Sequence, residues 1–143
     1  GAERERLLSL RDQLALTNVV MLEQQPKERM PWLWALCHVS LILLKKSELF
    51  KTVIPSKLFE SMAMEKPIIL GVEGESAEIL QAAKAGFCIE PENDEELAAR
   101  MLELWSNRAL CQTYGLNGRR HVLENYDRSQ LAKRYQQLLQ SLS

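Results

Sequence analysis

Short apolar runs alternate along the chain with stretches of helical spacing. Four runs, each bounded by Pro, Gly or charged residues, are typical of strands, and they cover residues 18–23, 38–44, 66–72 and 86–91. Between them, apolar positions three or four residues apart favour amphipathic helices. The run 38–44, HVSLILL, shows little alternation, which is typical of a parallel strand covered on both faces. This order predicts an α/β fold with a parallel sheet and flanking helices.

Beyond Pro91 the apolar spacing is helical to the end of the chain. Asn93, followed by an acidic first turn, suits the positive end of a helix dipole, and Asp127 or Ser129 is predicted to cap the last helix. We assign the helical segment 92–143 to the same domain as the strands, because 143 residues suit a single domain.

The segment PKERMPWLWALCH, residues 26–38, predicts a helix that is apolar around most of its circumference. Such a helix is expected to be largely buried or to face another domain. Core packing is therefore the expected role of Trp32 and Trp34, with contact to a membrane or to another domain as the alternatives.

Composition restricts the class of protein. The net charge is −1, with acidic and basic residues interspersed, which argues against a nucleic-acid partner. The longest apolar run, residues 39–44, is far shorter than the roughly 18 residues that span a bilayer. Cys37, Cys88 and Cys111 are expected to be small core residues in a reducing compartment. The two histidines have no Cys or His partner at ligand spacing, so no metal site is predicted.

The segment 51–72, KTVIPSKLFESMAMEKPIILGV, combines a loop, a helix and a strand. Pro55 ends the loop, and Ser56 is predicted to cap the helix. Side chains on a helix lean toward its N-terminus, so Lys57 and Glu60 would point to the start of the helix. Free N–H groups and the helix dipole favour an anion there, at the edge of the sheet where ligands bind. The residues alone favour another interpretation, in which Lys57 and Glu60 form an ordinary solvated pair at i, i+3 spacing, because most charged helix residues are solvated.

The apolar side chains of this helix are predicted to form its buried face: Leu58, Phe59, Met62 and Ala63. Ser61 is assigned to the opposite side, with Lys57 and Glu60. After the next strand, GVEGES (71–76) lacks the spacing of a dinucleotide-binding or P-loop motif, so it predicts a tight turn before a helix. Glu78 is predicted to be a dipole partner in the first turn of that helix.

The order of five segments resembles the C-terminal, donor-binding half of retaining GT-B glycosyltransferases of the group 1, or family 4, type. These segments are NVVMLEQQPKERMPWLWALCHVSLILL, IPSKLFESMAMEKPIILGV, GESAEIL, AGFCIEPENDEELAARMLEL and GRRHVLENYDRSQLAKRYQQLL. The group includes many bacterial enzymes of cell-surface polysaccharide biosynthesis. The resemblance implies a Rossmann-like sheet whose first two strands are absent, so that residues 1–143 form a partial donor-binding domain.

The resemblance also implies a function. A sugar would move from a nucleotide-sugar, UDP- or GDP-linked, to a saccharide or lipid-linked acceptor with retention, without a further cofactor. By position, Ser56, Lys57 and Leu58 would bind the diphosphate, and Glu60 would bind the ribose hydroxyls. This reverses the preference for a solvated pair at Glu60.

Other family positions are matched less well. Gln24 and Gln25, in the turn EQQP, fall where the family lines its base pocket. Thr52 stands eight residues before Glu60, where many members carry a second Glu near the donor sugar. The usual E-x7-E pair is therefore absent, and the catalytic residues are not assigned.

The chain begins, by this resemblance, at the helix after the family's first two strands. The basic loop that neutralises the leaving diphosphate and the N-terminal acceptor domain are expected to be missing, so the chain alone is expected to be inactive. An unpaired buried edge is costly, so the strand at 18–23 is expected to pair with the strand at 38–44 or with a second copy of the chain, giving a homodimer. The expected location is the cytoplasm, with attachment to the inner face of the cytoplasmic membrane as an option.

Two other functions stay open. The first is a non-catalytic α/β module that binds a nucleotide or another protein, because fold alone does not prove activity. The second is a flavodoxin-like or receiver domain, which is less favoured because the sequence shows neither an acidic cluster at the early strands nor a flavin-phosphate loop.

Overall fold

The computed structural model describes residues 3–141, with the backbone alone described at position 134. The ends of the predicted domain, residues 1–2 and 142–143, lie outside the described residues. The chain divides into two compact units, Gly1–Met30 and Pro31–Ser143. The smaller unit holds helix α1 (Arg4–Gln13) and a short 3-10 helix (Lys27–Arg29).

The predicted first strand, residues 18–23, is wrong. These residues form a turn and irregular backbone, and Val20 is 78% exposed. A strand needs a neighbour to satisfy its N–H and C=O groups, and the sheet of the described residues contains no strand from this segment. The β-branched run therefore stays unpaired, and the expected pairing of this segment with the strand at 38–44 is not formed.

The larger unit carries the sheet and most of the helices. Its strands are β1 (Ser40–Leu43), β2 (Ile68–Gly71) and β3 (Gly86–Cys88). Its helices are α2, which starts one residue before the unit (Met30–Leu36), α3 (Ser56–Ala63), α4 (Glu75–Ala83), α5 (Asp94–Ser106), α6 (Arg108–Asn125) and α7 (Arg128–Ser141), with a 3-10 helix (Glu48–Thr52) between β1 and α3.

The three strands are parallel and lie in the order β1-β2-β3. The central strand, β2, is buried along its whole length, as its apolar run predicts. At the edge, β1 alternates instead: Ser40 and Ile42 are buried, whereas Leu41 and Leu43 are 41% and 47% exposed. The expectation that this strand is covered on both faces is therefore wrong for its second face.

Both faces of the sheet carry packed helices. On one face, residues of α3, α4 and α6 form the main cluster with Ile68 and Leu70. On the other face, Ile69 packs with Ile89 and with Leu104 of α5. Alternate residues of β2 thus point to opposite layers, as the period of a strand requires. The α/β class, the parallel sheet with flanking helices and the helical C-terminus are confirmed.

Helix α6 crosses closely behind α3 because its packing face includes glycine. A Cβ added at Gly115 would lie only 2.3 Å from the carbonyl oxygen of Glu65, just after α3. One turn further on, Arg119 donates from Nη1 to the carbonyl oxygen of Ala63 at 2.8 Å. This contact gives a positive charge to the C-terminal end of α3, where the helix dipole favours one. Packing against α6 therefore fixes the position of α3.

Predictions about helix ends are confirmed more often than predictions about burial. The side chain of Asn93 accepts from the N–H of Glu96 at 2.9 Å, and Asp127, not Ser129, caps the last helix by accepting from Gln130 at 3.1 Å. None of the residues of α2 is buried.

The expected core roles in and after α2 are only partly met. Trp32 is 76% exposed and Cys37 is exposed, so both expectations are wrong, whereas Trp34, Cys88 and Cys111 are partly buried. None of the helices within residues 3–141 is long and apolar enough to cross a membrane.

Candidate functional site

The first turn of α3 lies at the end of the loop that follows β1. Pro55 occupies the position before the helix with φ −65° and ψ 131°, and Ser56 is the first helical residue. No side chain caps this end, so the prediction of Ser56 as the capping residue is wrong. The proline takes the flanking extended conformation itself, which moves Ser56 one place into the helix and removes its hydroxyl from the capping position.

This helix start presents free hydrogen-bond donors. The N–H of Leu58 donates to the carbonyl oxygen of Pro55 at 2.9 Å. Among the hydrogen bonds of residues 3–141, none uses the N–H of Ser56 or of Lys57. Two unpaired N–H groups at the positive end of a helix dipole form a surface that favours an anion. Leu58 could serve a ligand only by sharing its N–H with Pro55.

The charged side chains of α3 stand in water and apart. Lys57 and Glu60 are both exposed, and no carboxylate of the described residues lies within ion-pair distance of Lys57. The solvated i, i+3 pair is thus not formed in the structure. The carboxylate of Glu60 is exposed one turn beyond the free N–H groups, as a ligand contact at this end would require.

Ser61 contradicts the prediction that it shares the exposed side. Ser61 is completely buried, and its hydroxyl donates to the carbonyl oxygen of Lys57 at 2.6 Å. The hydroxyl oxygens of Ser61 and Ser40 lie 2.7 Å apart. Helix α3 presents Ser61 to β1, between the buried Leu58 and Met62, because residues 58, 61 and 62 share one face at helical spacing. The other predicted core residues, Phe59 and Ala63, are partly buried.

The loop before α3 is folded and not open. Ser47 caps its 3-10 helix by accepting from the N–H of Leu49 at 3.3 Å, and Thr52 donates from Oγ1 to the carbonyl oxygen of Leu49 at 3.1 Å. Thr52 is exposed, but its hydroxyl proton is already used within the turn. Its assignment to the vicinity of the donor sugar stays a prediction.

The turn after β2 packs against this loop and forms a hydrogen bond to it. Gly74 has φ +76°, and a Cβ there would lie 2.2 Å from the carbonyl oxygen of Lys51. The buried hydroxyl of Ser76 donates to the carbonyl oxygen of Val53 at 3.0 Å. The segment GVEGES is a tight turn before a helix, as predicted, but its role in holding the loop was not foreseen. A glycine followed two residues later by serine was the available signal.

The helix that begins at this turn, α4, has Glu75 and Glu78 in its first turn. Both carboxylates lie at the positive end of the helix dipole, as predicted for Glu78.

Ion pairs join the loops at the carboxyl edge of the sheet. Lys46, after β1, reaches Glu90, after β3, with Nζ 2.7 Å from Oε1, and its backbone N–H donates to Glu92 at 3.2 Å. The hydrogen bond to Glu90 raises the pKa of Lys46, and the same bond lowers the pKa of Glu90. Both groups therefore remain charged around neutrality and neutralise each other.

A second pair lies in the loop before α3. The ammonium group of Lys51 is 2.7 Å from Glu48 and 3.5 Å from Glu73. The hydrogen bond to Glu48 raises the pKa of Lys51. Two of the lysines of this loop are thus occupied by carboxylates, and Lys57 is not.

A cavity of about 340 Å³ opens at the same edge, between the end of β1, the end of β3 and the start of α5. Its lining includes both signs of charge, with Lys45, Glu92 and Asp94, together with apolar residues such as Leu43 and Ile89. Since one lysine stands against two carboxylates, the lining of this cavity does not favour an anion. The start of α3 is the better anion site.

Gln24 and Gln25 lie in the smaller unit, in irregular backbone before Pro26. Gln24 is exposed, whereas Gln25 is partly buried and donates from Nε2 to the carbonyl oxygen of Glu23 at 3.0 Å. Their assignment to a base pocket stays a prediction.

Comparison with known proteins identifies the family. The model of the family described as glycosyl transferases group 1 matches residues 1–121. The chain belongs to this family. The group 1 family that the resemblance indicated is thereby confirmed, and the fold described above is that of a Rossmann-like, C-terminal domain of this family.

Solved structures agree with this group 1 fold. A sucrose-phosphate synthase from Thermosynechococcus elongatus is similar with a TM-score of 0.78 and 22% identity, over 99% of this chain and 35% of that one. The C-terminal domain of a group 1 glycosyl transferase from Francisella tularensis is similar with a TM-score of 0.70 and 19% identity, over 87% of this chain and 63% of that one. The group 1 chain thus spans less than two thirds of either relative. No curated protein sequence matches it.

Proposed function

We propose that this chain binds the nucleotide-sugar donor in a retaining GT-B glycosyltransferase, which transfers the sugar to a saccharide or lipid-linked acceptor. The observation that carries the proposal is the start of α3, where the N–H groups of Ser56 and Lys57 have no partner within residues 3–141 and Glu60 is exposed one turn away. This start follows the carboxyl end of a parallel strand, in a chain that belongs to the group 1 glycosyl transferases.

The diphosphate of the donor binds at the first turn of α3. The aligned peptide dipoles place roughly half a positive charge there, and the N–H groups of Ser56 and Lys57 supply directed donors. The ammonium group of Lys57, which is exposed, adds a mobile positive charge. Leu58 contributes less than the other two residues, because its N–H already donates to Pro55.

The ribose binds at Glu60. A carboxylate accepts hydrogen bonds from two neighbouring hydroxyl groups, and a vicinal diol is the group that presents two hydroxyls at the right spacing. The base, of UDP or GDP, is assigned to Gln24 and Gln25, since amide side chains can both donate to and accept from the edge of a base.

Transfer requires more than this half of the site. The bond between the sugar and the diphosphate breaks with negative charge growing on the leaving oxygen, and preorganised donors stabilise that charge. The start of α3 supplies part of this stabilisation. We expect the remaining basic groups on an earlier loop of the same donor-binding domain and the acceptor site on an N-terminal domain, so that residues 1–143 alone bind the donor without transferring the sugar. The proposed setting is polysaccharide assembly in the cytoplasm, with attachment to the inner face of the membrane as an option.

One observation favours a second function. Thr52 stands where a second Glu is usual, and its hydroxyl donates within its own turn. A module that binds a nucleotide without transferring a sugar would need no group at this position. Transfer assays on a chain that includes the acceptor domain separate the two functions, because only the enzyme releases a nucleoside diphosphate from its donor.

Calorimetric titration with UDP, GDP and UMP tests the proposal. We expect one of the two diphosphates to bind, and UMP to bind about tenfold more weakly than UDP if the uridine nucleotide is the ligand, because a phosphate contact of about 1.4 kcal/mol is lost. Inorganic sulfate serves as the control for unspecific anion binding. A folded sample that binds neither diphosphate more tightly than sulfate would contradict the proposal.

Among the strands of residues 3–141, β1 is an edge strand, which leads to a further prediction, that two copies of the chain pair there. N–H groups of alternate residues of β1 donate to β2, as Ser40 and Leu44 do at either end of the strand, so those of Leu41 and Leu43 point away from the sheet. An apolar groove of about 920 Å³ adjoins this edge, with Trp105 on its wall. We expect sedimentation velocity to show a dimer of the wild type.

Lysine blunts a strand edge, so Leu41→Lys should shift the dimer to a monomer. Leu116→Lys, which changes an exposed leucine on α6, should leave the dimer intact. A wild-type chain that remains monomeric at all accessible concentrations would refute the pairing.

A further inference from the structure

Two buried serine hydroxyls connect β1 to the first turn of α3. Ser61 is completely buried and Ser40 is 5% exposed, and their hydroxyl oxygens are 2.7 Å apart. The hydroxyl of Ser61 has one proton, which it donates to the carbonyl oxygen of Lys57 at 2.6 Å. The proton between the serines therefore comes from Ser40. The two hydrogen bonds thus run from Ser40 through Ser61 to the carbonyl oxygen of Lys57.

Helix stability alone does not explain why these two serines are present. Alanine has a higher helix propensity than serine, and a serine that bonds the carbonyl four residues back tends to bend its helix and slightly weaken it. Replacing both partners of a buried hydrogen bond by apolar groups of similar size can be nearly neutral. Position 61 would therefore hold alanine equally well if packing alone decided it, and local departures of this kind concentrate at functional sites.

The carbonyl that receives the bond belongs to a residue of the proposed site. The rigid peptide unit that contains the Lys57 carbonyl carries the N–H of Leu58, which already donates to Pro55. It is joined at the Cα of Lys57 to the preceding peptide unit, which carries the unpaired N–H of Lys57. Fixing the Lys57 carbonyl therefore restricts the direction of that neighbouring N–H as well. Ser47 and Ser76 hold the preceding loop, but neither bonds to α3.

We propose that Ser40 and Ser61 are positioning residues for the diphosphate of the donor. They fix the first turn of α3 against β1, so that its free N–H groups keep one direction before the ligand arrives. Preorganised donors bind and stabilise charge better than donors that must reorient. The identity of the ligand rests on the proposed function, whereas the fixing of the turn is a property of the protein alone.

Four variants separate this role from packing. Ser61→Ala and Ser40→Ala each remove one hydroxyl, and Ser40→Thr restores a hydroxyl on a residue that suits a strand. The matched control is Ser106→Ala. Ser106 makes the same bond to the carbonyl four residues back, also at 2.6 Å, but it is exposed on α5.

Two measurements are made on each variant: amide hydrogen exchange by NMR at Glu60 and Ser61, and the Kd for UDP, uridine and pyrophosphate. We expect Ser61→Ala and Ser40→Ala to speed exchange several-fold and to weaken UDP and pyrophosphate binding about 3- to 10-fold, with uridine binding unchanged. Ser40→Thr should restore both, and Ser106→Ala should change neither. General destabilisation would weaken all three ligands alike.

The outcomes divide the two proposals. If the wild type binds UDP and the serine variants bind it equally well with unchanged exchange, the positioning inference is overturned and the proposed function stands. If the wild type binds no nucleotide or pyrophosphate, the proposed function fails. Faster exchange confined to the Ser40 and Ser61 variants then still supports the fixing of the turn, and unchanged exchange overturns that as well.

Discussion

Replacing Glu60 with alanine is expected to weaken binding of the preferred nucleoside diphosphate by roughly 10- to 100-fold. Hydrogen bonds to a charged group contribute about 1.5–3 kcal/mol, and each 1.4 kcal/mol is a factor of ten in affinity. The side chain is exposed and makes none of the ion pairs or hydrogen bonds found within residues 3–141, so its loss should leave the fold intact. Calorimetry on the variant and the wild type measures the ratio.

The ligand series sharpens the Glu60 experiment. Uridine or guanosine should lose as much affinity as the diphosphate, whereas pyrophosphate, which has no ribose, should bind unchanged. Glu60→Gln keeps the size and one acceptor oxygen, so an intermediate loss is expected. Glu124→Ala, which removes another exposed glutamate near the end of α6, is the control. Equal binding of the nucleoside diphosphate by wild type and Glu60→Ala would remove Glu60 from the site.

Replacing Gly115 with alanine is expected to lower the free energy of unfolding by about 1–3 kcal/mol, the usual cost of overpacking. The new Cβ would lie 2.3 Å from the backbone oxygen of Glu65, which cannot move aside as a flexible side chain could. Alanine gains about 1 kcal/mol of helix propensity over glycine, so the clash must exceed that gain. Urea unfolding followed by circular dichroism measures the difference.

The same helix provides the control for Gly115. At Gly118 an added Cβ would meet the Cβ of Ala85 at 3.2 Å, a contact that a small shift can relieve. Helix propensity should largely offset this contact, so Gly118→Ala is expected to be close to neutral. If Gly115→Ala proved as stable as Gly118→Ala, the close contact of Gly115 with the backbone of Glu65 would not fix the position of α3.

Local chemistry made much of the fold predictable. The apolar run at β2 has few alternatives to a central parallel strand, because a strand that is covered on both faces carries apolar residues along its whole length. Asn93 and Asp127 cap their helices as predicted, since a capping side chain acts on N–H groups two or three residues away. The helix at α3 was also predictable, because Pro55 and the apolar spacing after it lie within one short segment.

Predictions that depend on partners distant in sequence were less successful. The run 18–23 has the composition of a strand, but no strand among the described residues lies beside it. Predicting that Ser61 is buried would have required knowing that Ser40 on β1 lies beside it. Predicting that Trp32 is exposed would have required knowing which residues pack around it. Helical spacing gives the apolar face of a helix but does not say whether anything packs on it.

The candidate site shows the same division. The position of α3 and the candidates Lys57 and Glu60 followed from a short motif, because they depend on where one helix begins. The fastening of the preceding loop by Gly74 and Ser76 did not, because it joins segments more than twenty residues apart.

The unpaired N–H groups at the start of α3 have a consequence for sequence change. An anion held by main-chain donors depends on where the helix begins and hardly at all on which side chain stands at Ser56. Such donors have no pKa in the physiological range, so their contribution does not titrate. With Lys46 and Lys51 already neutralised by carboxylates, the salt dependence of diphosphate binding should come mainly from Lys57 and from the helix dipole. Substitutions could therefore accumulate around this site without loss of ligand binding, provided that Pro55 and the packing that positions α3 are kept.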